Sequence, residues 1–264
     1  MAEVWDGRIA IIGVGQIGTS LLKGLLRAGC DPDGIRVATR NPQHAAEVAA
    51  AYGVTAASAT SAVGDASLVF VAVRQAQVVD SLTELAPHLA PGAVVVSLAG
   101  SPDLATMAGA MPAGTPLLRV MPNPAMAVGA GLSGICPAPD CPAEVTDRVR
   151  RLIGRLGKVL DLSEEQLVRI GSLSGHGQAV LYYVADAIVA WGVLQGFTRA
   201  QASEVVTGTL AGAAAMLAAN DVPPAELQHQ LCTPGGSTIR SMSELDDRGV
   251  RGSIIAGMDG GRYK

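Results

Sequence analysis

Short apolar runs and longer helix-like stretches alternate along the first part of the chain. An apolar, branched run at residues 8–12 is typical of a buried parallel strand. A glycine-rich turn follows it, and leucines at helical spacing then continue to Leu26. Further strands are predicted at residues 35–39, 68–73, 93–98, 116–121 and 159–162, with helical stretches, including residues 45–52, before and between them. This alternation predicts an α/β fold with a doubly wound parallel sheet.

The pattern changes after residue 162, where no further strand is predicted. Ala-rich helical segments take over at residues 163–172, 177–195, 198–219, 224–231 and 238–247. We therefore predict two domains, a doubly wound domain at residues 1–162 and an all-helical domain at residues 163–264. The long helices are apolar on most faces, which is typical of helices that are buried on all sides. We expect a second subunit to cover the faces that one chain cannot bury.

The composition supports oligomerisation. Hydrophobic residues make up 49% of the 264 residues and charged residues 16%, whereas ordinary soluble domains carry about 25% charged residues. Such a chain can bury a large core, which excludes intrinsic disorder. The net charge of -4 gives no support to a nucleic-acid partner.

A membrane span and secretion are not predicted. The most apolar stretch, residues 179–197, contains Asp186, and a carboxylate in mid-bilayer is costly. Residues 1–6 are acidic and lack the apolar run of a signal peptide. The four cysteines show neither CxxC spacing nor a disulfide framework, and the four histidines are scattered. We therefore predict a cytoplasmic protein without a metal site.

A dinucleotide site is predicted where the first strand meets the first helix. Gly13, Gly15 and Gly18 form Gly-x-Gly-x-x-Gly directly after the strand and open the helix, which is the context that gives this motif its meaning. Gly13 permits the tight turn, Gly15 lets the backbone approach a pyrophosphate, and Gly18 permits close packing. The N–H groups of the helix start favour phosphate. We assign Gly13, Gly15, Gln16, Ile17 and Gly18 to the cofactor; a glycine turn without a ligand is the alternative.

The end of the second predicted strand favours NADP over NAD. NAD-binding proteins place a carboxylate about 20 residues after the glycines, for the ribose hydroxyl. This chain has Thr39 and Arg40 there, and a guanidinium suits the 2′-phosphate of NADP. We therefore expect NADPH to be preferred over NADH, with Arg40 as a solvated surface residue being the alternative.

A second anion site is predicted in the helical domain. Residues 234–239 read Pro-Gly-Gly-Ser-Thr-Ile and run into a helix, so flexible glycines and a helix start present several N–H donors to one anion. A substrate carboxylate fits this arrangement. The alternative is that Ser237 or Thr238 only caps the helix.

Three stretches carry a family resemblance. They are Arg-Val-Met-Pro-Asn-Pro-Ala at residues 119–125, Leu-Ser-Gly-His-Gly at residues 173–177, and the glycine turn at residues 234–239. With the dinucleotide motif they make the chain resemble the pyrroline-5-carboxylate reductase family over residues 8–257. The resemblance implies an N-terminal Rossmann domain and a helical domain that interlocks into homodimers, which assemble further. It also implies proline biosynthesis by NAD(P)H-dependent reduction of a cyclic imine carboxylate, with hydride passing from nicotinamide C4 to the C=N carbon.

The resemblance also implies roles for individual residues. Val73, Arg74, Ala99 and Asn123 would line the nicotinamide side of the cofactor. The substrate would contact Glu164, Ser174, Gly235, Gly236, Ser237 and Thr238. Thr238 would form a hydrogen bond with the imine nitrogen.

The chain departs from the family pattern near the expected pocket. The family has a Thr between the residues that match Asn123 and Pro124, and a Lys-Pro pair where this chain has Arg74 and Gln75. His176 replaces a family Ser, and it is a candidate proton donor or a structural histidine. A different cyclic imine therefore stays an alternative substrate. A different NADP oxidoreductase, acting on a deazaflavin or a β-hydroxy acid, and a non-catalytic NADP sensor are further alternatives.

Overall fold

The structure, a computed structural model, describes residues 5–260. Most of the stretch considered for a signal peptide, residues 1–4, lies outside the described residues. The chain divides into two compact units, Met1–Gly175 and His176–Lys264. The first unit thus continues beyond residue 162, where the sequence placed the domain boundary.

The first unit is built on one eight-stranded sheet with strand order β3-β2-β1-β4-β5-β6-β7-β8. Neighbouring strands are parallel except for the antiparallel pair β6 and β7. The strands are β1 (Arg8–Ile12), β2 (Ile35–Ala38), β3 (Thr55–Ala56), β4 (Ala66–Val71), β5 (Val94–Ser97), β6 (Leu117–Pro122), β7 (Gly131–Pro137) and β8 (Gly157–Asp161). The predicted doubly wound architecture is confirmed.

The antiparallel strand is the main departure from the predicted parallel sheet. β7 was not predicted, because Gly131, Gly134 and Pro137 resemble a loop in sequence. Only a short 3₁₀ turn, Pro124–Val128, separates it from β6. A parallel crossover needs about a dozen residues or more, so the chain turns back as an antiparallel strand.

Helices cover both faces of the sheet. They are α1 (Gln16–Arg27), α2 (Pro42–Tyr52), α3 (Ala59–Val63), α4 (Val78–Leu85), α5 (Leu104–Ala108), α6 (Ala143–Gly154) and α7 (Glu164–Ile170). Along β1, Ile9 and Ile11 belong to one buried cluster and Ala10 and Ile12 to another. This alternation follows from the two-residue period of a strand, and it divides the core into two layers.

Packing of α7 explains why the first unit extends past the predicted boundary. Leu167 and Ile170 of this helix are buried in the same cluster as residues of β4 and β5. A Cβ at Gly134 of β7 would lie 2.8 Å from Leu167 Cδ1, so the helix lies close to the sheet only because that position is glycine. α7 therefore belongs structurally with the sheet.

The second unit is all-helical within the described residues, as the sequence predicted. A π-helical stretch, Gly171–His176, leads into α8 (Gly177–Leu194). The remaining helices are α9 (Arg199–Ala219), α10 (Pro224–Gln230), α11 (Ser237–Asp247) and α12 (Val250–Gly260). α8 and α9 pack together around Val189, Ala202 and Val206.

A single chain leaves most of the apolar surface of these helices uncovered, as expected if a second subunit covers it. Only Val189 and Gly192 of α8 and Ala202 and Val206 of α9 are buried, while large apolar side chains such as Tyr183 and Leu194 are exposed. Two helical stretches, Glu164–Leu194 and Arg199–Ala219, are long and apolar enough to cross a membrane by length and composition alone. The same properties fit a helix that another protein surface covers, so they are weak evidence for a membrane.

Candidate functional site

The glycine turn between β1 and α1 has the geometry that the sequence predicted. Gly13 has a φ of +98°, and a Cβ there would lie 2.7 Å from the carbonyl oxygen of Ala72. A Cβ at Gly18 would collide with the carbonyl oxygen of Gly13. Both positions therefore require glycine, one for backbone conformation and the other for close approach of helix and turn.

Gly15 shows that this turn suits a phosphate-bearing ligand. A Cβ at Gly15 would meet no atom within 4 Å, so the space beside its backbone is open. Gly15 caps α1 without any side-chain hydrogen bond, and the first turn of α1 holds no acidic residue. Backbone N–H groups and an uncompensated helix dipole at Gln16 and Ile17 are thus available to a pyrophosphate.

A cavity of about 920 Å³ continues from the turn across the ends of neighbouring strands. Gly13, Gly15, Thr39 and Arg40 line it, together with Val73 and Arg74. Thr39 and Arg40 directly follow β2, and Arg40 is exposed. The structure therefore brings most of the predicted cofactor residues to one cavity.

His44 is a cavity residue that the sequence analysis missed. Its Nε2 lies 3.2 Å from the carbonyl oxygen of Val14, inside the glycine turn. Asn41 caps α2 by accepting hydrogen bonds from the N–H groups of Gln43 and His44, which sets the direction in which His44 leaves the helix. The Asn-Pro start of α2 predicts this cap, but no local signal predicts a contact with a turn 30 residues earlier.

Ala99 and Asn123, predicted for the nicotinamide side, do not line this cavity. Ala99 follows β5 and is buried, whereas Asn123 follows β6 and is partly exposed. Both lie at the edge where the parallel strands end, which is where such sheets bind ligands. The side-chain oxygen of Asn123 accepts a hydrogen bond of 3.2 Å from the N–H of Leu132 in β7, so one of its polar groups is already occupied.

An ion pair between a buried arginine and a partly exposed glutamate lies at the same edge of the sheet. Arg119 of β6 is 1% exposed, and its Nη1 lies 2.5 Å from Oε1 of Glu164. The same carboxylate oxygen accepts a hydrogen bond of 2.7 Å from the N–H of Leu104. Glu164, predicted to contact substrate, thus has one oxygen engaged within the protein, and its contact with substrate stays a prediction.

Ser174 and His176 lie in the π-helical stretch Gly171–His176. Single π-helical turns are frequent at functional sites, and this one covers most of the Leu-Ser-Gly-His-Gly segment. The Oγ atom of Ser174 is buried and has no hydrogen-bond partner among the described residues. A buried hydroxyl without a partner costs free energy, and a water or a ligand group beside Ser174 would remove that cost; its contact with substrate stays a prediction.

The glycine turn before α11 forms an uncapped helix start. Gly235 has a φ of +68°, and Gly236 caps α11 without a side-chain hydrogen bond. Ser237 and Thr238 are the first residues of the helix, so the expectation that one of them caps it is wrong. The backbone N–H groups are therefore not occupied by a capping side chain, as an anion site requires.

Arg240 adds a cation to this turn. Its Nη1 donates a hydrogen bond to the carbonyl oxygen of Gly235, one helical turn after the helix begins. Sequence reasoning missed Arg240, although a basic residue four positions after a helix start is within reach of the preceding turn. Its positive charge further favours a negatively charged ligand.

Two of the cysteines are buried, and the described residues form no cluster of metal ligands. Within residues 5–260, no group of three or more His, Cys, Asp or Glu side chains could hold a metal ion. Burial raises the pKa of the Cys30 thiol to about 11, and burial likewise raises the pKa of Cys136. Thiols with such pKa values stay protonated at neutral pH and are poor nucleophiles.

Comparison with protein families gives two matches. Residues 164–262 match the model for pyrroline-5-carboxylate reductase dimerisation. Residues 8–101 match the model for NADP oxidoreductase, coenzyme F420-dependent. The dimerisation match begins at α7 and extends through the helices of the second unit. The NADP oxidoreductase match includes the glycine turn and the residues that line the cavity.

Relatives match over almost the whole chain. A pyrroline-5-carboxylate reductase of Corynebacterium melassecola is 34% identical, covering 93% of this chain and 93% of its own. Another, from Escherichia coli, is 29% identical, covering 96% of this chain and 95% of its own. The crystal structure of 1-pyrroline-5-carboxylate reductase from Streptococcus pyogenes superposes with a TM-score of 0.85 at 26% identity, covering 96% and 95% of the two chains. A Plasmodium falciparum pyrroline carboxylate reductase with NADP bound has the same fold, with a TM-score of 0.87 at 18% identity over 97% and 95% of the chains.

Proposed function

The chain belongs to the pyrroline-5-carboxylate reductase family, and we propose that it reduces pyrroline-5-carboxylate to proline with NADPH. The observation that carries this proposal is the full-length similarity to enzymes of that name, at 34% identity over 93% of the chain. The open glycine turn at the start of α1 supplies the matching cofactor site. The protein is thus an NADP-dependent oxidoreductase of amino-acid biosynthesis, and we propose the cytoplasm as its location.

The residues of the first unit fit the coenzyme. Open space beside Gly15 leaves room for a pyrophosphate, and the uncapped start of α1 supplies N–H donors at Gln16 and Ile17. When bound, the coenzyme supplies the hydride for reduction of the C=N carbon. The protein's task is then to hold both reactants in position, because an accurately oriented pair needs little further catalysis.

We propose that Thr39 and Arg40 select NADPH over NADH. Both residues line the cavity that begins at Gly13, and Arg40 is exposed and therefore accessible to a ligand. The sequence has no carboxylate next to them at the end of β2, where NAD-binding proteins place one for the ribose hydroxyl; the carboxylates of the cavity, Asp80 and Glu84, are on α4. A guanidinium can form two charge-assisted hydrogen bonds with a phosphate.

The glycine turn before α11 is the proposed carboxylate site. Backbone N–H groups of Gly235 and Ser237 would bind the carboxylate, and Arg240 would add positive charge. The N–H of Gly236 instead donates a hydrogen bond of 2.9 Å to the carbonyl oxygen of Thr233, so Gly236 would shape the turn around the substrate. Thr238 would orient the imine nitrogen through its hydroxyl. N–H donors at a helix start and a nearby guanidinium favour a negatively charged group over a neutral one, which supports a cyclic imine carboxylate.

Two residues of the π-helical stretch are proposed to act on the substrate. Ser174 has a buried hydroxyl without a partner among the described residues, and it would contact the substrate. His176 would donate a proton to the product amine, because an imidazole transfers protons readily at neutral pH.

We propose a homodimer formed through the helical unit. The family match for dimerisation covers residues 164–262, and α8 and α9 expose large apolar side chains, including Tyr182, Tyr183, Trp191 and Leu194. A second copy of the chain would bury this surface. Further association of dimers is also proposed, as in the family.

NADPH consumption by the purified protein tests the proposed reaction. Pyrroline-5-carboxylate is compared with a six-membered imine carboxylate, and the Thr238→Val variant serves as the site control. Efficient turnover of the five-membered ring, reduced in the variant, supports a proline enzyme. Little or no turnover with NADPH still bound contradicts it, and points to a different imine or to NADP sensing.

A further inference from the structure

The buried guanidinium of Arg119 holds the backbone of the loop that follows β5. Its Nη2 lies 2.5 Å from the carbonyl oxygen of Gly100 and 3.4 Å from that of Ala99. Through Nη1 it binds Glu164, whose carboxylate accepts the N–H of Leu104. One ion pair therefore fixes both ends of the segment from residue 99 to residue 104.

A second contact connects this segment to the loop after β4. The hydroxyl of Ser101 donates a hydrogen bond of 3.1 Å to the side-chain oxygen of Gln75. The side chain of Gln75 also lies against Gly100. A Cβ placed on Gly100 would be 2.8 Å from the Nε2 atom of Gln75. Gln75 follows Val73 and Arg74 directly, so the loops after β4 and β5 share one support.

Burying the guanidinium of Arg119 costs free energy, which indicates that the ion pair has a role other than stabilising the fold. An arginine that is 1% exposed loses most of its hydration. Its partner Glu164 is 34% exposed, so water weakens the attraction that offsets this loss. The Nε of Arg119 is buried and has no hydrogen-bond partner among the described residues, which adds to that cost. The arrangement is therefore poor as a stabilising device, whereas it is well suited to holding two carbonyl groups in a fixed direction.

We propose that Arg119 and Glu164 are positioning residues that set the loops after β4 and β5 against the nicotinamide ring of the coenzyme. Arg119 acts through the carbonyl groups of Ala99 and Gly100, and Glu164 acts through Arg119 and Leu104. Neither residue touches the reacting atoms. The inference rests on the proposed function, because it takes these loops as the nicotinamide side of the site.

Three variants separate geometry from charge. Arg119→Lys keeps the charge but loses the planar fork that reaches three acceptors. Glu164→Gln keeps an oxygen for the N–H of Leu104 but removes the negative partner of Arg119. Arg119→Met removes the guanidinium. The control is Glu165→Gln, which removes the neighbouring carboxylate of the same helix, exposed and paired with Arg169 on the surface.

The first measurement uses ligand binding alone. The fluorescence of bound NADPH depends on the surroundings of its reduced nicotinamide ring. 2′-Phospho-ADP-ribose lacks nicotinamide, so its dissociation constant measures only the part of the site that binds the adenosine, phosphates and ribose. We expect Arg119→Lys, Arg119→Met and Glu164→Gln to change the fluorescence of bound NADPH. Binding of 2′-phospho-ADP-ribose and the behaviour of Glu165→Gln should match the wild type.

The second measurement follows turnover. We expect kcat to fall by about tenfold or more in the three variants, because a small displacement of reacting atoms can cost that much. The kinetic isotope effect with deuterated NADPH should rise as hydride transfer becomes slower. Equal weakening of NADPH and 2′-phospho-ADP-ribose, or unchanged fluorescence and kcat in folded Glu164→Gln, would overturn the inference even if Arg119→Met does not fold.

The two proposals fail in different ways. If the wild-type protein does not reduce pyrroline-5-carboxylate, the proposed reaction is wrong, and the fluorescence comparison still tests the positioning of nicotinamide. If the wild type is active and the variants are unchanged, only the positioning role is wrong.

Discussion

The imidazole Nε2 of His44 lies 3.2 Å from the carbonyl oxygen of Val14 and thereby connects the start of α2 to the glycine turn. Because a carbonyl oxygen can only accept, Nε2 carries the proton in this contact. The contact limits the movement of the turn on which Gly13 and Gly15 lie.

His44→Ala should weaken NADPH binding by about threefold to tenfold, which corresponds to one net hydrogen bond. Isothermal titration with NADPH measures the effect, and His88→Ala, a change at an exposed histidine away from the cavity, is the control. Equal dissociation constants for wild type and His44→Ala would show that the turn holds its shape without this contact.

Arg40→Ala should raise the KM for NADPH by about tenfold or more, since a hydrogen bond to a charged group is worth about 1.5–3 kcal/mol. The KM for NADH should change little, because NADH lacks the 2′-phosphate. Arg151→Ala removes an exposed arginine on α6 and should change neither constant. A parallel rise for both coenzymes would rule out the proposed selectivity.

Gly15→Ala should abolish tight NADPH binding without unfolding the protein. A Cβ at Gly15 enters open space and the φ of -72° suits alanine, so the thermal midpoint should stay near the wild-type value. The methyl group occupies the space proposed for the pyrophosphate. Gly154→Ala, another glycine with open space beside it, should leave binding intact, and normal NADPH binding by Gly15→Ala would place the phosphates elsewhere.

His176→Ala should lower kcat for imine reduction by about tenfold or more, at the lower end of the range for general acid catalysis. His229→Ala, at an exposed position of α10, serves as the control. Unchanged turnover in His176→Ala would leave this histidine with a structural role only.

Asp103→Asn should make stability less sensitive to acid. Hydrogen bonds from Thr106 hold the pKa of Asp103 below its ordinary value of 3.8 in the folded protein. The unfolded chain therefore binds a proton more readily, so the stabilisation is complete above the ordinary pKa and is lost as pH falls through the folded pKa. Asparagine still caps α5 but does not titrate. Thermal unfolding between about pH 6 and about pH 3 should show a smaller loss for the variant, and equal losses would refute this assignment.

Local sequence patterns predicted the helices and strands in which the spacing of apolar residues matches the repeat of the element itself. β1 was predicted at its observed bounds, and α9 within one residue of them, because a branched apolar run and a long apolar helix need no distant partner to be recognised. β7 was missed since its glycines are explained only by distant neighbours. Gly131 lies so close to Gly157 of β8 that a Cβ on Gly157 would collide with it.

In the candidate site, too, the sequence revealed residues that belong to a local motif and missed those that act through distant contacts. Gly13, Gly15 and Gly18 are recognisable because their spacing alone determines the turn. Arg119 was visible in the sequence as part of a family stretch, but its role depends on Glu164, which lies 45 residues later. His44 likewise acts on a turn 30 residues earlier. Contacts of this kind arise only when the sheet brings distant segments together.

The exposed apolar faces of α8 and α9 affect how the protein is made. Residues of the sheet leave the ribosome first and can close their core at once, whereas these helices emerge late, with Tyr183 and Leu194 uncovered. A new chain keeps this surface exposed until it meets another copy, and scarce synthesis prolongs that interval. Until that encounter, the same surface is open to non-native association with other chains, so co-expressed chaperones that shield apolar surface should raise the yield of native protein.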